Sequence, residues 1–168
     1  FEQTPQGWIW FHAYPSAAGV STFIVECQER TWRALGFDEL DNAATTRLLE
    51  EVFDEHLAGH ALISSARGKP ATWQRFTQVY NQTWRHDNAV LVGDAAHTTH
   101  FTIGSGTRLA MIDAVVLAEK LQEHEQLDHA LKEYDGEGHA AMRVVQAAAR
   151  TSMAWFENVD HYTDRNAV

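Results

Sequence analysis

The chain is 168 residues long, 45% hydrophobic and 11% aromatic, with a formal net charge of −10. These figures fit one folded domain, or part of a larger one, and exclude a disordered chain. The negative balance argues against nucleic acid and anionic membrane as partners, and no apolar run is long enough to span a bilayer.

Gly7 to Cys27 reads as antiparallel strands. Trp8, Trp10 and Tyr14 are aromatic, Pro15 to Gly19 supply turn chemistry, and Val20 to Val25 is rich in β-branched residues. Thr31 to Ala34 begins a short helix. Asp41 to Leu57 is helical by its spacing of Leu48, Leu49, Val52, Phe53 and Leu57, with Asp41 or Asn42 as cap and Gly59 as terminator. Gly68-Lys69-Pro70 breaks the chain, and Thr72 to Trp84 then alternates as a strand, with Phe76, Gln78 and Tyr80 on one side and Thr77, Val79 and Asn81 on the other. Ala89 to Val92 reads as a buried strand. Gly106 to Glu123 reads as a helix with Leu109, Ile112, Val116, Leu117 and Leu121 on its apolar face. A last helical region runs from about Leu127 to Asn158, weakened in its middle by Gly136 and Gly138.

The run Val90-Leu91-Val92-Gly93-Asp94-Ala95-Ala96-His97 carries the most chemistry. A strand ends in a carboxylate, and Gly104-Ser105-Gly106 then opens a helix whose first N–H groups lack intrahelical partners. Asp94 is either an acceptor for a polyol hydroxyl or a turn residue. Gly104 and Gly106 either let backbone amides approach a planar or anionic ligand or form an ordinary turn. His97 and His100 form a His-x-x-His pair, but a metal centre needs further ligands at suitable spacing, and no His-Glu-x-x-His pattern occurs. No metal is expected. Cys27 is solitary, which excludes an internal disulfide and fits a reducing, cytoplasmic setting. Trp73, Phe76, Tyr80 and Trp84, with Trp8, Trp10 and Phe23, are either core or the lining of an aromatic cavity. A serine hydrolase is poorly supported, because no Gly-x-Ser-x-Gly turn exists.

The stretch Val90 to Leu121 resembles the second flavin-binding motif of the class A FAD-dependent aromatic monooxygenases, the para-hydroxybenzoate hydroxylase-like family. Its form, Gly-Asp-Ala-Ala-His-Thr-Thr-His-Phe-Thr-Ile-Gly-Ser-Gly-Thr-Arg-Leu-Ala-Met, is most similar to the salicyloyl-CoA hydroxylase and anthraniloyl-CoA monooxygenase subgroup. Phe76, Val79, Asn81 and Trp84 upstream, and Tyr134, Gln146, Ala148, Ser152 and Trp155-Phe156-Glu157 downstream, extend the resemblance. Ile112, Arg108 and Gly138 depart from the wider pattern.

The resemblance implies an α+β chain that is part of an α/β flavoprotein. An antiparallel substrate-domain sheet with a helix would occupy residues 1–87, and the C-terminal part of the FAD-binding region, a strand and long helices, would occupy 88–168. It implies FAD contacts at Gly93, Asp94, Gly104, Gly106, Thr107 and Arg108, a substrate pocket bordered by Phe76, Tyr80, His100 and Phe101, and no catalytic side chain of its own. The implied reaction is hydroxylation of an aromatic small molecule, including an aryl-CoA thioester, with NAD(P)H and O2 as co-substrates. The Gly-x-Gly-x-x-Gly βαβ unit that opens this family is absent from these residues. The chain is therefore expected to be a C-terminal fragment, inactive alone, whose partner is the missing N-terminal dinucleotide-binding half. Exposed strand edges make a homodimer a further expectation. The alternatives are a non-catalytic ligand-binding or assembly domain derived from that fold, and a metal-dependent or hydrolytic enzyme using the histidine-rich loop.

Overall fold

The computed structural model describes residues 1–66 and 68–163, and every side chain among them except those of Ala66 and Phe101. The chain has the expected α+β composition, and it divides into two compact units, Phe1–Gln74 joined by the stretch from Val159, and Arg75–Asn158. Within the second unit, residues 79–85 are hydrogen-bonded to partners at 91, 95, 96, 98, 128 and 135.

In the first unit, β1 (Glu2–Thr4), β2 (Gly7–Ala17) and β3 (Val20–Cys27) form an antiparallel sheet in that order. The hairpin between β2 and β3 is tighter than expected: β2 runs through Pro15 to Ala17 with a register shift, and Ala18-Gly19 alone turn the chain. One face of the sheet carries Ile9, Phe11, Phe23, Val25 and Cys27 into the core. The helices α1 (Glu29–Ala34), α2 (Asn42–Val52) and α3 (Asp54–Leu57) follow. Asp41 caps α2 as expected, its Oδ1 accepting the Ala44 N–H at 2.7 Å. The single helix expected over 41–57 is broken at Phe53, whose backbone leaves the helical region (φ −108°, ψ 21°). That break drives the Phe53 ring fully into the core, edge-on to Phe11 and Phe23 at 5.1 and 5.7 Å. α3 ends on two residues of positive φ, Ala58 (49°) and the expected Gly59 (83°). A two-stranded ribbon of β4 (Ser65–Ala66) and β5 (Lys69–Pro70) comes next.

The second unit corrects one expectation outright: residues 72–84 are not a strand. Phe76 and Tyr80 are 68% and 65% exposed, so no buried face exists to hold an alternating pattern in register. A single antiparallel bridge joins Tyr80 to His97, the Trp84 carbonyl accepts the Leu91 N–H at 2.7 Å, and side chains fix the segment further. The Val79 N–H donates to Thr98 Oγ1 at 2.6 Å, and Asn81 Nδ2 donates to the carbonyls of Ala95 and Ala96 at 2.9 and 2.7 Å. The strand expected at 89–92 shortens to β7 (Ala89–Val90), which pairs with β6 (Arg85–His86) in a hairpin and is half-buried at Val90 rather than enclosed. Three-residue 3-10 turns follow at Gly93–Ala95 and Phe101–Ile103, and then α4 (Gly106–Glu123) and α5 (Leu127–Glu157), which pack along one another.

The inward face of α4 differs from the apolar stripe read from its sequence. Ile112 and Leu121 are 43% and 45% exposed, whereas Asp113 is buried between Leu109 and Val116–Leu117. The core of this unit is Trp84, Ala96, Tyr134 and Met142. Asp135 of α5 accepts the Trp84 N–H at 2.8 Å and the Thr83 hydroxyl at 3.0 Å. Tyr134 donates its hydroxyl to the Leu91 carbonyl at 2.9 Å, and burial pushes its phenol well above the ordinary range, with Asp113 and Asp135 adding to the effect. A short helix, α6 (Asp160–Thr163), belongs again to the first unit, where Arg30 Nη2 donates to Asp160 Oδ2 at 2.8 Å.

The two glycines of α5 are not equivalent. A Cβ at Gly136 meets nothing within 4 Å, whereas one at Gly138 overlaps ring carbons of Trp84. Gly138 thus lets the indole lie against the helix backbone, and α5 is continuous through both positions. Gly136→Ala is expected to stabilise the chain by up to about 1 kcal/mol through helix propensity. Gly138→Ala, which overpacks the Trp84 site, is expected to destabilise it by about 1–2 kcal/mol. Urea denaturation of the two variants, read side by side, should show midpoints moving in opposite directions.

Candidate functional site

The loop between β7 and α4 is held by one buried carboxylate. Asp113 Oδ2 accepts the Gly93 N–H at 2.9 Å and lies 2.8 Å from His97 Nε2, with Asp113 6% and His97 4% exposed. A buried carboxylate is retained only where donors meet it, and here both donors come from the loop. Gly93 has φ +63°, and a Cβ there would stand 3.0 Å from the Ala110 Cβ. The residue must therefore be glycine on two counts, left-handed backbone and close approach to α4. Trp84 covers His97 at 4.8 Å between ring centroids, and the His97 N–H returns to the Gly93 carbonyl at 3.0 Å.

This clamp presents Asp94 at the surface of the Gly93–Ala95 turn, which packs on α4. At the start of α4, Ser105 occupies the cap position but makes no capping bond; its hydroxyl donates to the Ile103 carbonyl at 3.0 Å. The first turn of α4 holds no acidic residue, and Gly106, Thr107 and Arg108 are all exposed. Cβ atoms built at Gly104 (φ +60°) and Gly106 meet nothing within 4 Å, so open space lies over both backbones. An uncapped helix start bearing a cation and facing open space is an anion- or dipole-accepting surface.

The expected site residues therefore fall into two groups. Gly93 and Asp94 share the turn that packs on α4, and Gly104, Gly106, Thr107 and Arg108 form the start of that helix. Phe76 and Tyr80 lie exposed on the irregular segment before the loop. His100 is half-buried: its Nδ1 lies 2.9 Å from Thr102 Oγ1, which in turn lies 2.9 Å from Ser152 Oγ on α5. Burial lowers the His100 pKa, partly opposed by the Glu157 carboxylate. Phe101 begins the second 3-10 turn, and its side chain is outside the described residues. Among the described residues no group of three or more His, Cys, Asp or Glu is arranged to hold a metal, and His97 of the His-x-x-His pair is engaged by Asp113.

Sequence reasoning missed Asp113 as the centre of the site. Its signal was a charged residue at an inward helical position, four residues after Leu109 and three before Val116.

The donor set fits the middle of a flavin dinucleotide. A carboxylate at a strand end suits a polyol chain, and unpaired amides beside an arginine suit the electron-poor, oxygen-bearing edge of a flat ring. Residues 2–149 match the FAD binding domain family. The chain is 38% identical over 167 residues to salicyloyl-CoA 5-hydroxylase of a Streptomyces species, a match covering 94% of this chain and 32% of that protein. It is 38% identical over 154 residues to 3-hydroxy-4-methyl-anthranilyl-(aryl-carrier protein) 5-monooxygenase of Streptosporangium sibiricum, covering 92% of this chain and 39% of that protein. It is 32% identical over 150 residues to protodeoxyviolaceinate monooxygenase of Chromobacterium violaceum, covering 89% and 39%. The chain thus spans about a third of the length of the curated relatives it matches. From the clamp, the open helix start and these matches together, the chain belongs to the FAD-binding domain family of the class A flavin-dependent aromatic monooxygenases.

Proposed function

We propose that the chain is the C-terminal portion of a flavin-dependent monooxygenase that hydroxylates an aromatic substrate. The observation that carries this reading is the Asp113 clamp, which fixes the Asp94 turn against α4, the helix whose uncapped start carries Gly106, Thr107 and Arg108. Asp94 would accept hydroxyls of the ribityl chain, with Gly93 giving the turn its shape. The amides of Gly106, Thr107 and Arg108 would donate to the ring edge, where the helix dipole and the Arg108 charge oppose accumulating negative charge. Gly104 would leave room for the ring to approach the backbone. When bound, FAD would supply reductive activation of O2 at the expense of NAD(P)H and transfer of one oxygen atom. The part of these residues is to bind, orient and keep water from the reacting ring. Phe76, Tyr80, His100 and Phe101 would border the substrate. Two relatives are named for acyl groups carried on coenzyme A or a carrier protein, which supports an aromatic acyl thioester as substrate.

A second segment of chain bearing the dinucleotide-binding βαβ unit would complete the site. Met111, Ile112 and Val115 on the outer side of α4 are 65%, 43% and 55% exposed, which supports a further layer there. The chain alone is expected to give no hydroxylated product with FAD, NADPH, O2 and an aryl thioester; robust turnover, read by mass spectrometry, would remove the need for that segment.

Riboflavin carries the part of the coenzyme that this loop would hold. The chain is expected to bind it weakly and saturably, and Asp94→Ala to weaken binding about tenfold, the worth of one charge-assisted hydrogen bond of about 1.5 kcal/mol. Asp94 is exposed, so the same variant should leave stability within about 0.5 kcal/mol. Flavin fluorescence titration decides the point: no saturable binding, or equal binding by the variant, overturns the assignment. Asp113→Ala should behave differently, costing about 3 kcal/mol in urea denaturation because two buried donors lose their acceptor.

A further inference from the structure

The connection between α4 and α5 is short, His124 to Gln126, and it brings two imidazoles together. His124 occupies the C-terminal cap of α4, its N–H returning to the Lys120 carbonyl at 3.2 Å, and His129 lies in the first turn of α5. Their Nδ1 atoms are 3.0 Å apart, with ring centroids 4.3 Å apart and ring planes at 79°. His124 is half-buried and His129 exposed.

A hydrogen bond between two imidazoles needs one ring to carry its proton on Nδ1 and the other to present a lone pair there. A straight bond of that kind would set the centroids farther apart, so the rings are bent out of line. The Glu133 carboxylate, one turn further along α5, lies 3.9 Å from the other nitrogen of His129, Nε2. A carboxylate on that side favours the proton at Nε2 and leaves a lone pair at Nδ1.

Two nitrogens held 3.0 Å apart match one edge of a metal coordination shell. With metal–nitrogen bonds of about 2.0–2.1 Å they subtend about 90–97° at a shared ion, whereas a tetrahedral ion sets them about 3.3–3.4 Å apart. The near-right angle belongs to tetragonal ions. Residues 120–133 carry four carboxylates against two lysines, so the surroundings favour a cation. One of those lysines, Lys120, is engaged by Glu123 and Glu137 at 3.0 and 3.1 Å.

We propose that His124 and His129 chelate one divalent cation of tetragonal preference, Cu(II) or Ni(II), through their Nδ1 atoms. The protein supplies this edge and water the remaining positions, since no group of three such ligands occurs among the described residues. On binding, the His124 proton passes from Nδ1 to Nε2 through solvent, and nothing is oxidised or reduced. The ion ties the end of α4 to the first turn of α5, and Glu133 is a positioning residue for His129. The pair lies 18 residues along α4 from Gly106, about 27 Å, so the proposal does not rest on the flavin reading.

The test titrates the full chain with NiCl2 and CuCl2, with MgCl2 as a hard-ion control. Calorimetry with Ni(II) should show one saturable site that Mg(II) does not compete for. The electron paramagnetic resonance of bound Cu(II) should show coupling to imidazole nitrogen. His124→Gln and His129→Gln should each weaken Ni(II) binding about tenfold or more, and Glu133→Gln severalfold. His86→Gln, on the β6–β7 hairpin, should match the wild type. Amide NMR broadening by the paramagnetic ion needs no variant and should centre on residues 124–129. The proposal is overturned if Ni(II) binding does not saturate, if either His124→Gln or His129→Gln binds as the wild type does, or if the broadening centres elsewhere. Riboflavin titration of the same proteins reads the other end of α4, so the two assignments stand or fall separately.

Discussion

The second unit is organised around the carboxylate of Asp113. One oxygen receives the first amide of the Gly93 turn and faces His97, so a single buried charge fixes where the loop leaves the hairpin and where it closes. Such a charge is costly to bury alone and tolerable when hydrogen-bonded from two sides. The geometry then propagates. His97 supports one side of Trp84, Trp84 reaches the backbone of α5 at Gly138, and Asp135 of α5 holds the Trp84 amide. Loop, indole and both long helices are thereby one cooperative unit, and the Asp94 turn inherits its rigidity from the buried residues behind it.

Much of this was legible in the sequence, and the failures have physical causes. The strands β2 and β3, the Asp41 cap and both long helices follow from β-branched runs, a short acceptor before an apolar period, and sustained helical spacing. The glycines around the loop marked positions where a backbone must turn or be approached, and the structure places them on the turn beside α4 and at the start of α4 itself. The segment 72–84 was misread because alternation is only a strand signal where a sheet exists to reward it; here Asn81 and Thr98 side chains hold the backbone instead. The inward face of α4 was misread because hydrophobicity scoring sends Asp outward and Ile inward, whereas the loop's donors pull Asp113 in and leave Ile112 at the surface. Gly138 looked like a weak point in a helix, and its reason is a neighbour fifty-four positions away that no local pattern records.

The first unit shows how strongly a two-residue period divides labour. Odd-numbered positions of β2 from Ile9 to Phe11 build the core with Phe53, while Trp10, His12 and Tyr14 face away from it. A sheet one residue out of register would exchange these sets and bury a histidine and a glutamate against phenylalanines. The tight Ala18-Gly19 turn protects against that slip, because hairpin geometry counts residues.

The length of α5 has a consequence of its own. Tyr134 grips the carbonyl of Leu91 near one end of the helix, and Ser152 meets Thr102 near the other. Eighteen residues separate the two, about five whole turns, so both side chains emerge on the same azimuth. Removing or adding one residue between them would swing one contact about 100° out of phase with the other. The helix thus works as a fixed-length gauge block between the hairpin and the 3-10 turn, and evolution of this segment should proceed by exchange of residues rather than by insertion or deletion.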